Sequence, residues 1–250
     1  MREILEKVAK GEMPIDEAER LLKVLTIEEI GNLARIDVRR ELRKGIPEVI
    51  LAEGKNPEDL AEIAAKMLKE NGRAIISRAA KEQIRAIKEA IPSDAFSQVN
   101  DKAGLIVIKK KDFAVKKTGG KIGILTGGTS DIPVAEEARV IAEEMGCDVL
   151  TAYDVGVAGI HRLLPPLKKM ISEDVDTLVV VAGREGALPS VVAGIVDAPV
   201  IAVPTSIGYG LGEKGVSALT AMLQSCSLGL AVVNIDGGIA AGAVATLIAN

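Results

Sequence analysis

At 250 residues, 48% hydrophobic and a formal charge of −4, the chain is long enough for one large domain or one and a half smaller ones, and it lacks the basic excess of a nucleic-acid surface. Trp is absent and there are only two Phe and two Tyr, which excludes a base-stacking platform and leaves a core of Ala, Val, Ile and Leu suited to buried parallel strands. Two cysteines exclude a secreted disulfide framework, the charged N-terminal segment excludes a signal peptide, and Gly, Asn and Asp interrupt every long apolar run before it spans a bilayer, so a cytoplasmic protein is expected.

Residues 1–10 and 14–24 place Leu and Ile at helical spacing, with Gly11 and Pro14 marking the break. Thr26 and Glu29 form a capping-box pattern that predicts a further short helix. The run from Val38 to Lys44 mixes base with acid and reads either as a solvated helix face or as an anion contact. Residues 47–52 predict a strand. Asn56 and Pro57 open a helix that Gly72 closes, 73–76 predict a second strand and 81–89 a second helix. Residues 105–109 and 113–115 predict a hairpin or two edge strands about the turn at 109–112. This β-α-β-α-β-β order makes residues 1–118 a small α/β region with helical decoration. Residues 116–120 link it to a domain covering 119–250.

The second half alternates more regularly. Strands are predicted at 122–125, 148–151, 177–182, 199–203 and 230–234, and helices at 133–145, 161–170, 188–196, 216–224 and 238–248. The strands are near-continuously apolar, as expected when helices cover both faces of a parallel sheet. The fold class is α/β, with a flavodoxin-like three-layer parallel sheet. Such sheets bind ligands outside the carboxyl ends of their strands, so a nucleotide-like ligand is expected there.

The chemistry-bearing residues cluster at those strand ends. Thr126-Gly127-Gly128-Thr129-Ser130-Asp131 follows the first strand and leads to Pro133 at a helix start. Its glycines let backbone approach a phosphate, its hydroxyls and the helix N–H groups donate, and Asp131 either caps the helix, binds a ribose hydroxyl or moves protons. It matches neither the P-loop nor the dinucleotide fingerprint. Tyr153-Asp154 and His161-Arg162 follow the second strand. Asp154 and two glycines suggest a ligand wall, His161 either helps bind or merely starts a helix, and Arg162 either holds an anion or lies on the surface. Gly183-Arg184-Glu185 directly follows a buried apolar run, where a charged pair is costly unless used or solvated. Arg184 is suited to gripping an anion and Glu185 to acting as a general base. The Gly-rich loop from Thr205 to Gly212 carries Tyr209, which either covers a planar ring or belongs to a surface crossing. Asp236, before a Gly pair, either binds a hydroxyl or metal or caps the last helix. Cys226 reads as a nucleophile or as a small buried hydrophobe like Cys147. The fold logic puts its segment at the opposite sheet edge, unless the helix ends early and the segment folds back; a neighbouring subunit is the other way to bring it to a site.

Taken together, TGGTSD, YDVGVAGIHR, GREGALPSVV, QSC and VVNIDGG resemble the family of pyridinium-3,5-biscarboxylic acid mononucleotide synthases of nickel-pincer cofactor biosynthesis, whose C-terminal domain is related to the 5-(carboxyamino)imidazole ribonucleotide mutases of purine synthesis. The resemblance extends to IDVRRELRKGIPE at 36–48. It implies carboxylation of the pyridinium ring of nicotinic acid adenine dinucleotide with CO₂ or bicarbonate, hydrolysis of its phosphoanhydride to release AMP, Mg²⁺ with the substrate phosphates, no nickel in this protein, and a homo-oligomer, an octamer of the mutase type. It places the catalytic thiolate at Cys226 and the carboxylate base at Glu185, with Asp131 as a further catalytic candidate. Gly127, Gly128, Thr129, Ser130, Asp154, Arg162, Arg184 and Asp236 become substrate-binding candidates. One departure stands out: the purine mutases carry histidine in a GGAAHLP-type loop and in the preceding strand-end loop. Here those loops read GREGALP and contain Tyr153 and Asp154, which argues against the mutase alternative. A non-catalytic nucleotide-binding protein is the third reading.

Overall fold

The computed structural model describes residues 2–23, 28–30, 34–37 and 40–250. They fall into two units, residues up to 99 with 104–113, and residues 100–103 with 114–250.

In the first unit, α1 (Arg2–Ala9) and α2 (Ile15–Lys23) precede an antiparallel ribbon of β1 (Glu28–Ile30) and β2 (Ala34–Ile36). The rest comprises α3 (Arg40–Lys44), β3 (Val49–Leu51), α4 (Pro57–Asn71), β4 (Arg73–Ser77), α5 (Lys81–Ala90), β5 (Phe96–Asn100) and β6 (Leu105–Lys109). The four-stranded sheet has the order β3-β4-β6-β5, with β3 parallel and β6 antiparallel to β4. Helix α4 is set by its own sequence. The Asn56 side chain accepts the Asp59 N–H, Pro57 sits in the first turn, and Gly72 ends it with φ 75°. Leu60, Ile63, Ala64, Met67 and Leu68 bury one face at helical spacing, each large aliphatic contributing roughly 1.5–3 kcal/mol.

Two expectations for this unit are corrected. The helix expected from the Thr26/Glu29 pattern gives way at 28–30 to a strand, since pairing with residues 34–36 supplies backbone partners that one capping contact does not; Thr26 lies outside the described residues. Residues 113–115 form no strand, because the Phe113 ring packs beneath the buried guanidinium of Arg73, 5.2 Å from its centroid. The outer strand is instead β5, a half-exposed FSQVN segment without an apolar run to signal it. In the charged run, Arg40–Lys44 is the short helix α3, and its arginines pair with acid: Arg40 with Glu48 at 2.9 Å, and Arg43 with Asp37.

The second unit alternates β7 (Lys121–Thr126), α6 (Ile132–Glu144), β8 (Asp148–Ala152), α7 (Leu164–Ser172), β9 (Thr177–Ala182), α8 (Leu188–Ala193), β10 (Val200–Pro204), α9 (Val216–Leu223), β11 (Leu230–Val232) and α10 (Gly238–Ala249). The predicted strands and helices are all present. The second helix, however, starts at Leu164 rather than 161, because residues Val157–Arg162 form a 3-10 turn. The five strands form one parallel sheet in the order β11-β10-β9-β7-β8, the flavodoxin-like arrangement. Strands β7, β9 and β10 are buried almost end to end, yet successive residues still serve opposite faces. Leu125, Leu178, Val180 and Ala202 pack with α7, α8 and α9. Ile122, Ile124, Val179 and Ile201 pack with the alanine-rich faces of α6 and α10. Among the described residues no helix is long and apolar enough to cross a membrane.

The strand order decides where a ligand can enter. From β7 the chain moves outward to β8, then crosses back to β9 on the other side of β7. The loops after β7 and β9 therefore part at their carboxyl ends and leave a crevice.

Candidate functional site

A cleft of about 590 Å³ opens at that switch point, within the size range of small-molecule sites. Four successive strand-end segments line it: Gly127, Gly128, Ser130 and Asp131 after β7; Gly156 to Ala158 and Arg162 after β8; Ala182 to Glu185 with Ala187 and Leu188 after β9; and Ile207 to Tyr209 after β10.

Two glycines let these segments meet. A Cβ on Gly156 would lie 2.4 Å from the Gly127 carbonyl oxygen, and one on Gly183 would lie 2.4 Å from that of Ile207. The chain also turns sharply here. Asp154, Arg184 and Asp236, the first or second residues into three strand-end loops or just beyond, all have positive φ, between 56° and 59°.

Asp131 forms the floor. It is buried, with one carboxylate oxygen accepting the Thr205 hydroxyl at 2.7 Å and the other the Gly128 N–H at 2.8 Å. The nearby Gly183 N–H also favours the ionised form. One carboxyl thus ties together the loops after β7 and β10. Burial raises its pKa above the ordinary carboxylate value, outweighing these hydrogen bonds, and the negative charge of Asp236 pushes it the same way. Its side chain makes no cap on α6. It caps instead the 3-10 turn Thr129–Asp131 that precedes α6, through the bond from the Gly128 N–H, while the raised pKa fits a proton-holding role beside it.

The groups suited to an anion stand at the walls. Ser130 and the Gly pair line the cleft where a 3-10 turn, Thr129–Asp131, runs into the N-terminus of α6 with Pro133 in its first turn, the kind of helix start that suits an anion. Arg162 lines the cleft and pairs with Asp154 at 2.6 Å, both ends being partly exposed. Such a pair is worth at most about 1 kcal/mol, so an incoming phosphate or carboxylate exchanges for Asp154 at little cost. Arg184 and Glu185 are exposed and both line the cleft.

Several sequence candidates lie elsewhere. Thr129 is exposed and does not line the cleft. Asp154 reaches the site only through Arg162. Asp236 accepts the Ser206 N–H at 2.8 Å and so braces the β10 loop, while Gly237 takes the N-cap of α10. Tyr153 donates to Glu136 on α6, and burial and that contact push its phenol up. Glu136 is itself raised by burial but held net below its ordinary range by Arg139 and Tyr153. His161 is exposed and absent from the lining, as is Cys226. Cys226 is exposed, which removes the buried-hydrophobe reading; Cys147 is buried. The segment bearing Cys226 enters β11 at the amino edge of the sheet and is held to α8 by the Ser227 hydroxyl donating to the Ser190 carbonyl at 2.8 Å. Within one chain, Cys226 and the cleft are not brought together. Sequence reasoning missed Thr205, whose signal was a hydroxyl directly after the buried run VIAVP.

Comparison with known proteins places these features. Residues 27–111 match the LarB/PurE-like N-terminal domain, and residues 121–250 match AIR carboxylase. The chain is 47% identical to an uncharacterized protein of Methanocaldococcus jannaschii, over all of this chain and 97% of that one. It is 33% identical to the N5-carboxyaminoimidazole ribonucleotide mutase of the same organism over 47% of this chain and 71% of the mutase. It is also 28% identical to the mutase of Thermotoga maritima, over 50% of this chain and 66% of that enzyme.

Proposed function

The chain belongs to the AIR carboxylase family and carries a LarB/PurE-like N-terminal domain in front of it, and on that premise we propose that it carboxylates the pyridinium ring of nicotinic acid adenine dinucleotide at C5 and hydrolyses the phosphoanhydride, giving the dicarboxylated mononucleotide and AMP. One observation supports this reading: Arg162, Arg184 and the Gly127–Ser130 segment before α6, all suited to anions, line one cleft, and no histidine is among its lining residues. Purine-mutase chemistry is the second reading, favoured by the likeness of residues 121–250 to the mutases and disfavoured by that lining.

The chemistry gives each residue a task. A pyridinium carbon is too electron-poor to attack CO₂. Thiolate addition at C4 moves an electron pair onto the ring nitrogen and makes C5 an enamine carbon. C5 then attacks CO₂, a base takes the C5 proton, and loss of the thiolate restores the aromatic ring. Cys226 is the proposed thiolate and Glu185 the base. Because Cys226 stands off the cleft of its own chain, a second copy supplies it, which fits the expectation of a homo-oligomer. Arg184, Arg162 and the N-terminus of α6 hold the carboxylate and phosphates. Among the described residues no three carboxylate, His or Cys side chains converge as a metal site. Mg²⁺ is accordingly proposed as an ion carried on the substrate diphosphate, where one protein carboxylate suffices.

The test is mass spectrometry after incubation with nicotinic acid adenine dinucleotide, ¹³C-bicarbonate and Mg²⁺. The expected result is AMP together with a ¹³C-labelled dicarboxylated mononucleotide. Folded protein that yields neither product sinks the reading; labelled turnover of imidazole ribonucleotides instead installs the mutase.

A further inference from the structure

The roles assigned so far leave one contact at the cleft mouth unexplained. Arg184 and Tyr209 both line the cleft, and the guanidinium carbon of Arg184 lies 4.0 Å from the centroid of the Tyr209 ring. The contact is built by backbone. Arg184 takes φ 56°, its N–H donates to the Ile207 carbonyl at 3.3 Å, and Gly183 admits that carbonyl where a side chain would clash. Tyr209 is 77% exposed, and its neighbour Gly210 has φ 80° with nothing within 4 Å of a built Cβ, so the ring sits on a segment with room to adjust.

The negative face of a phenol ring attracts a planar cation. Here the guanidinium of Arg184 occupies that face, and in doing so it is turned onto an aromatic ring rather than toward an anion. We infer that Tyr209 is the platform for the planar cationic ring of the substrate, which replaces the Arg184 guanidinium on the phenol face, and that the released guanidinium pairs with the carboxylate borne by that ring. The inference rests on the proposed function for the identity of the ring; the exchange itself requires only a planar cation carrying a carboxylate.

The exchange is selective because each half is matched. One planar cation replaces another of similar thickness on the same face, so the stacking energy is largely conserved, and the fork-shaped Arg184–carboxylate contact is gained. A neutral ring of the same shape has to displace a cation without replacing its charge. Tyr209 therefore discriminates by ring charge, and Arg184 by the carboxylate. A dinucleotide whose pyridine ring is reduced, and so neutral, is disfavoured on binding. That selects the form of the ring that accepts a nucleophile.

Full-length protein titrated with N-methylnicotinate and with 3-methylbenzoate, followed by ligand-observed NMR, tests this. The two probes share shape and carboxylate and differ in ring charge. Wild type is expected to bind N-methylnicotinate about tenfold more tightly than 3-methylbenzoate, the size of a partly desolvated cation–π contact. Tyr209→Phe is expected to keep that preference and Tyr209→Leu to lose it, while Arg184→Gln weakens both probes. Thermal unfolding alongside verifies that each variant is folded. Equal affinity for the probes in wild type, no saturable binding of N-methylnicotinate, or a preference that survives Tyr209→Leu each overturn the platform. The ¹³C assay separates this from the reaction: labelled product without ring preference sinks the platform alone, and ring preference without label keeps the platform and sinks the carboxylation.

Discussion

Thr205→Val isolates the tie that holds the cleft floor. The substitution preserves shape and removes only the hydroxyl that donates to Asp131 at 2.7 Å, in a position with no exposed surface. A buried hydrogen bond to a charged acceptor contributes about 1.5–3 kcal/mol, so the expected loss at neutral pH is about 2 kcal/mol. For a chain of this size that is a fall of about 4–8 °C in the unfolding midpoint. The pH dependence makes the test specific. The Thr205 bond favours the ionised carboxyl, and losing it raises the already raised pKa of Asp131 further. A carboxyl whose folded pKa lies above its unfolded value binds more protons when folded, so stability falls as pH rises from the ordinary carboxylate range through the folded value. In the variant that fall is larger. The gap between wild type and Thr205→Val is thus smallest in acid, where Asp131 is protonated in both, and largest at neutral pH. Urea unfolding of wild type, Thr205→Val and Thr205→Ser at both pH values measures it. Thr205→Ser, which restores a hydroxyl, is expected to recover most of the loss. A cost that does not change with pH, or no cost at all, refutes the assignment of Asp131 as the carboxyl that ties the loops.

Four further outcomes are expected. Cys226→Ala should lower labelled-product formation at least a thousandfold while dinucleotide affinity, read by calorimetry, changes less than about threefold. Oligomers reassembled from a mixture of Cys226→Ala and Glu185→Gln chains should regain activity that neither variant shows alone, because the proposed site takes its thiolate and its base from different copies; mixtures as inactive as their parents refute the shared site. Gly183→Ala should cost about 1–3 kcal/mol of stability and weaken ligand binding, since its Cβ would stand 2.4 Å from the Ile207 carbonyl oxygen. Asp154→Asn should tighten inorganic phosphate binding severalfold by freeing Arg162 from its 2.6 Å partner, and Arg162→Met should abolish that gain.

Much of this molecule was legible because its signals are local. The capped helix from Pro57 to Asn71 announces itself through Asn56, Pro57 and Gly72. The five strands of the second unit stand out as apolar runs, each followed within four residues by Gly or Asp, and their alternation with helices implies a sheet with chemistry at its carboxyl edge. Failures came where local signals were weak or contested. Strand β5 carries a half-exposed polar sequence, and the capping box at Thr26 and Glu29 competed with a strand pairing no spacing rule could see.

The sequence by itself determined which residues reach the strand ends, because period, length and flanking glycines fix where each strand stops. Only the tertiary structure decided which of those residues meet. Thr205 and Asp131 are 74 positions apart and share a hydrogen bond because strand order sets β7 beside β9 and β9 beside β10. Tyr153 sits at a strand end yet donates to α6, away from the cleft. Cys226 lies at the amino edge of the sheet, away from the strand-end loops that line the cleft. Strand order and side-chain direction arise from packing between segments distant in the chain, and no local spacing encodes them.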